Sequence, residues 1–196
     1  MATKLPGVEA KTAAEIAAHF EMSDEGAAVL KPKMTPAEAH DALVAAGQLR
    51  DAISLLAHGL GRREAVWWAC VCTKLTLEPS PPPGYAAALA AAEAWCYRPT
   101  EPNRRAAGDA AQATPMKHPG GWAGIAAFWS GGSMAPASAP QPVPPGPFLT
   151  AKAVVTALTL AAVRSQPEKA QEKFAKFLAK GVEIANAPAA DPKKGA

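Results

Sequence analysis

A chain of 196 residues with 49 % apolar side chains can enclose one substantial core and is too apolar for wholesale disorder. Its net charge of +3 is mild, and no dense Lys/Arg block interleaved with aromatic residues is present, which argues against a nucleic-acid partner. Residues 1–20 carry Glu9 and Glu15 and no apolar run, so they do not read as a secretory signal, and the longest strongly apolar stretch, 153–163, falls short of the roughly 20 residues a bilayer needs.

Taken in order, residues 1–11 read as a loose lead-in. Thr12 can cap a short helix over 13–20, and Ser23-Asp-Glu opens another that ends near Leu30. Thr35-Pro-Ala-Glu38 combines a cap, a proline at the first helical position and a glutamate three residues later, so a helix should run to Ala46 and stop at Gly47. Gln48 opens the next, with Leu49, Ala52, Ile53, Leu56 and Leu60 as its apolar stripe.

Residues 62–77 follow after a very short link, which predicts an antiparallel hairpin. Within them Ala65 to Cys72 carry no charge. Val66, Ala69, Cys70, Thr73 and Leu77 share one helical face, and Trp68, Val71 and Leu75 another. A helix apolar nearly all round is covered on several sides, so this one is expected at the centre.

Residues 78–84 read as a stiff proline linker. An alanine-rich helix over 85–97 buries Leu89, Ala92, Trp95 and Cys96. Thr100 caps a peripheral helix to about Ala113, with Arg104 and Arg105 outside. Residues 120–129 form another buried helix, carrying Trp122 and Trp129. Residues 130–147 hold six prolines, three glycines and no charge, which predicts a long loop suited to protein contact. Thr150 should cap a helix over 151–163. Pro167 begins the last helix, ending near Asn186, with Lys169, Lys173, Lys176 and Lys180 on its solvent side. The expected fold is all-α: a single domain over 12–186, about eight or nine helices in antiparallel hairpins, with proline-rich connections at 78–84 and 130–148. Residues 1–11 and 187–196 are expected as flexible termini.

The chemistry-bearing residues are sparse. Cys70, Cys72 and Cys96 lack the spacing of a zinc site and read as buried reduced thiols. His19, His40, His58 and His118 are scattered and read as surface or cap residues. No nucleophile elbow, zinc-binding His pair or phosphate loop is found, so no catalytic residue, cofactor or metal is expected. Arg62, Arg63 and Glu64 place three charges at the mouth of the apolar helix. Together with Trp68, Trp122 and Trp129 they are the protein-binding candidates, since arginine and tryptophan are favoured interface anchors. The alternative is a small-molecule binder or small enzyme with a site between helices near Arg63, Glu64 and Trp68.

Four stretches carry a family resemblance: RREAVWWAC (62–70), the alanine-rich segment 85–97, GGWAGIAAFWSGGSMAP (120–136) and LTAKAV (149–154). Over residues 12–186 the chain resembles an uncharacterised all-helical bacterial family associated with type VI secretion gene clusters. The resemblance implies no catalytic residue. It implies a cytoplasmic accessory protein, an adaptor or chaperone whose partner is a secretion effector or spike component.

Overall fold

The computed structural model describes residues 2–81, 83–115 and 117–187, with Pro83 described by its backbone alone. Among them ten α-helices and one 3-10 turn follow one another, with no strand beyond an isolated bridge between Val8 and Leu60. The helices are α1 (Ala13–Ala17), α2 (Asp24–Val29), α3 (Pro36–Ala45), α4 (Leu49–Gly59), α5 (Arg62–Leu75), α6 (Pro83–Tyr97), α7 (Glu101–Gln112), α8 (Pro119–Phe128), α9 (Leu149–Val163) and α10 (Ala170–Asn186), with the 3-10 turn at Pro167–Lys169. The all-helical architecture read from the sequence is present, with a helix or two more than expected.

Local signals explain most helix ends. The hydroxyls of Thr12, Ser23, Thr35 and Thr100 accept the backbone N–H three residues on, and Glu38 returns a bond to the Thr35 backbone, completing a capping box. Gly47, at φ +74°, ends α3; the amides of Gly47 and Gln48 donate back to the carbonyls of Val44 and Leu43, a Schellman closure that favours glycine. Pro83 takes the first position of α6, which shortens the expected linker 78–84; Pro82 lies outside the described residues.

α5 is the enclosed rod the apolar run predicts. It packs against α6, α8, α9 and α10, and Val66, Trp68, Ala69, Cys70 and Cys72 have no exposed surface. The Trp68 indole N–H donates to the Phe177 carbonyl of α10 at 2.7 Å, which satisfies its one polar atom. All three cysteines are free and buried, and both a hydrogen bond with Cys96 that favours the protonated thiol and burial push Cys70 well up.

The hairpin expected between α4 and α5 does not form. Leu60 and Gly61 are both extended, at ψ 152° and 148°, so the chain turns a corner there. α4 instead packs on α3, α9 and α10. Small residues carry the α7–α8 contact. A Cβ on Gly124 of α8 would lie 2.8 Å from the Ala107 carbonyl and 2.9 Å from the Ala111 Cβ, so α7 and α8 meet nearly backbone to backbone.

Other expectations are corrected. Residues 2–11 are not loose. The Thr3 amide donates to Asp41 at 2.9 Å, the Gly7 amide to the Ala185 carbonyl at 2.9 Å, and Asn186 Nδ2 to the Lys4 carbonyl at 2.8 Å. Of the expected tail, 188–196 lies outside the described residues. Arg104 is not outside but 3 % exposed: its guanidinium donates to the carbonyls of Phe128 and Ser133 and pairs with Glu101, which holds the Glu101 carboxyl below its usual range. Arg105 reaches the Ala135 carbonyl. These two arginines pin the start of the 130–148 loop, where the Ser133 hydroxyl accepts from the amides of Ala135 and Val143. Thr150 is not the cap of α9. Phe148 is, in a left-handed backbone conformation at φ +61°, and the Thr150 hydroxyl donates to the Trp129 carbonyl at 2.9 Å.

A candidate binding cleft at the α4–α5 corner

The corner at Leu60–Gly61 and the bridge to Val8 leave a hollow between the N-terminal segment, α1, the corner itself and the end of α10. Its volume is about 790 Å3. A smaller hollow of about 220 Å3 adjoins it, lined by Arg62 and Thr150. His58, Gly61 and Phe148 border both.

Phe148 and His58 form the aromatic wall. The Phe148 ring stacks on His19 at 3.8 Å between centroids and 18° between planes, and lies 6.0 Å from the His58 ring. His58 Nδ1 is 2.8 Å from the Ser54 carbonyl, so that nitrogen carries the proton. Nε2 is then an acceptor, and among the described residues it is buried without a partner. Burial holds the His58 imidazole below the usual histidine range, outweighing the Ser54 bond that favours its charge.

Carboxylates occupy the rim. Glu9, Glu15 and Glu64 line the larger hollow, and no lysine or arginine does among the described residues. The oxygens of Glu15 are engaged by the Lys11 amide and the Thr12 hydroxyl. Glu64 sits in the first turn of α5, where the helix dipole favours an acid.

The six sequence candidates do not form one surface. Arg62 is exposed beside the smaller hollow, and its Nη1 donates to the Ser130 carbonyl at 2.8 Å. Arg63 points away, toward α6, with its Nε 2.6 Å from the Cys96 carbonyl. Glu64 faces the larger hollow. Trp68 is sealed in the core. Trp122 and Trp129 are half-buried on and beside α8, their rings in edge contact at 6.4 Å. Arg63, Glu64 and Trp68 therefore point in three directions, and neither of these two hollows gathers them.

A family of unknown function, DUF6931, matches residues 39–185. The chain belongs to the DUF6931 family. No curated protein and no solved structure matches it. In this DUF6931 chain the matched segment supplies His58, Gly61, Glu64 and Phe148, while Glu9, Glu15 and His19 precede it. Sequence reading missed the cleft because its parts are far apart along the chain. The available signal was Phe148 itself, a lone aromatic closing a charge-free proline loop directly before an apolar helix.

Proposed function

We propose that this DUF6931 protein is a non-catalytic, cytoplasmic binding protein that holds a segment of another protein in the corner cleft, as an adaptor or chaperone for a type VI secretion effector or spike component. The observation that carries the binding reading is the hollow of about 790 Å3, with an aromatic wall and a carboxylate rim. Its volume falls in the range of ligand-holding clefts. The secretion context comes from the sequence resemblance at 62–70, 120–136 and 149–154.

The test is affinity purification of the tagged full chain from its native bacterium, with mass spectrometry, for the wild type and for Glu64→Lys. The expected result is an effector or spike component in the wild-type sample, depleted in the variant. Recovery of no secretion component, or equal recovery by both proteins, overturns the reading.

A further inference from the structure

Residues 3–10 lie across the helical frame as a shallow strap. None of them is buried: Thr3, Leu5, Val8 and Ala10 are half-buried and the others exposed. What the strap touches is sealed, with Ala185 at 1 % and Leu60 at 8 % exposed. Leu5 and Val8 pack on the core and flank a tight turn, closed by the Val8 amide on the Leu5 carbonyl at 3.0 Å. Pro6 and Gly7 form its exposed tip.

The seat under the strap is specific in shape. Val8 bridges to Leu60 and lies over Gly59, where an added Cβ would be 3.1 Å from Val8 Cγ1. Gly7 passes the end of α10 so closely that a Cβ would lie 2.9 Å from the Ala185 carbonyl oxygen. The polar anchors ask little of the strap's side chains. The Gly7 amide donates to Ala185, in the last turn of α10, where carbonyls lack a partner within the helix. The Lys4 carbonyl accepts from Asn186, and only at Asp41 does a side chain, the Thr3 hydroxyl, join the backbone amide. Gly59, Leu60 and Ala185 belong to the segment matched by the family, whereas residues 3–10 precede it. Pro6, Gly7 and Ala10 also line the larger hollow, so the seat and the hollow are contiguous.

A strap with no buried side chain has little apolar burial to hold it, so it opens at lower cost than the helices beneath. Contacts made mainly through backbone groups can be copied by another chain. We infer that residues 3–10 are a displaceable occupant of this seat, replaced by a partner's segment of matching chemistry: two apolar residues flanking a proline–glycine turn. This rests on the protein-binding reading above and names how the partner enters.

The test uses the full chain carrying Val8→Cys and Leu60→Cys. Residues opposed in an antiparallel bridge have Cα atoms about 4.5–5.5 Å apart, within disulfide reach. The probe is a capped, fluorescent peptide of residues 2–11, read by anisotropy. It should bind the reduced chain and lose binding when the disulfide pins the strap. The same peptide with Gly7→Val should not bind. Leu5→Asp combined with Val8→Asp, in the otherwise natural chain, should tighten peptide binding about tenfold. The tethered segment, held at an effective concentration of order millimolar, then no longer competes. In the natural chain the Gly7 amide should exchange hydrogen about a hundredfold or more faster than the amides of α5. Equal peptide binding by the reduced and oxidised forms overturns the inference, and so does exchange at Gly7 as slow as in α5. Unfolding of the aspartate variant also overturns it, because the strap would then be part of the core. Recovery of the same secretion component from lysate by the oxidised variant removes this inference and leaves the protein-binding reading standing. Peptide exchange with no cellular partner does the reverse.

Discussion

Gly181→Ala sets two opposing effects against each other. In an unconstrained helix interior, replacing glycine with alanine contributes about 1 kcal/mol of stability. Gly181 of α10 is not unconstrained. A Cβ there would lie 2.6 Å from Leu56 Cδ2, and 2.8 and 2.9 Å from Trp68 Cε2 and Cζ2. Those separations are about 1 Å inside the ordinary carbon contact of about 3.5–4.0 Å. Neither neighbour can retreat easily. Leu56 is 1 % exposed, and the Trp68 ring is fully buried and tethered to the Phe177 carbonyl. Overpacking of this kind costs about 1–3 kcal/mol, and two contacts this close put the cost in the upper half. The net expectation is a loss of about 1–2 kcal/mol, or roughly 2–8 °C in Tm for a chain of this size. Urea titration followed by far-UV circular dichroism reads it as a lower midpoint at unchanged slope. Trp68→Leu removes both clashing ring atoms, so Gly181→Ala should cost at least about 1 kcal/mol less in that background. A midpoint raised by Gly181→Ala alone, or additivity of the two changes, would refute the placement of Trp68 against α10.

Two further outcomes follow from the polar groups. Arg104→Ala should cost about 2–4 kcal/mol, because it leaves the Phe128 and Ser133 carbonyls without their donor. Hydrogen exchange at the amides of Met134 and Val143 should accelerate well beyond that at α5, and equal acceleration everywhere would mean the arginine does not pin the loop. The His118 imidazole is 3 % exposed, and burial, helped by Arg164, holds it down to about 4, below the ordinary value near 6.5. Between those values the unfolded chain takes up a proton that the folded chain refuses. His118 therefore stabilises fully above about pH 6.5, and its contribution of order 1–3 kcal/mol is lost as pH falls toward 4. His58, also lowered by burial, acts in the same sense. His118→Asn keeps an acceptor for the Gly120 amide and should flatten Tm against pH across this window; an unchanged slope would contradict the burial of a neutral ring.

Much of the architecture was legible because it is written in short-range signals. The Thr35–Glu38 box, the stop at Gly47 and the uncharged run through Trp67 and Trp68 act over a few residues each, and each maps to an observed helix feature. What depends on distant partners was not legible. Arg104 looked like a solvent-facing charge on a weakly apolar helix, and only the returning loop supplies the carbonyls that draw it in. Lys173 belonged to an apparent solvent stripe, yet its ammonium reaches the carbonyls of Ala162, Ser165 and Gln166 where α9 ends. The turn at Leu60–Gly61 was read as a hairpin because a short link usually makes one, and two extended residues made a corner instead. Of the candidate site, Glu64 and Arg62 were found at the hollows, Arg63 is half-buried and turned toward the Cys96 carbonyl, and Trp68 was assigned to a surface it does not reach.

Phe148 ties the size of the binding space to the integrity of the frame. A left-handed phenylalanine stores about 1–2 kcal/mol of backbone strain, which the stack on His19 and the start of α9 hold in place. It also borders both hollows, together with His58, Leu60 and Gly61. Moving its backbone out of this conformation would release that strain and change the wall that both hollows share. It would also unseat the first turn of the helix on which α4, α5, α8 and α10 all lean. Room for a bulkier guest and looseness of the scaffold are thus coupled through one side chain.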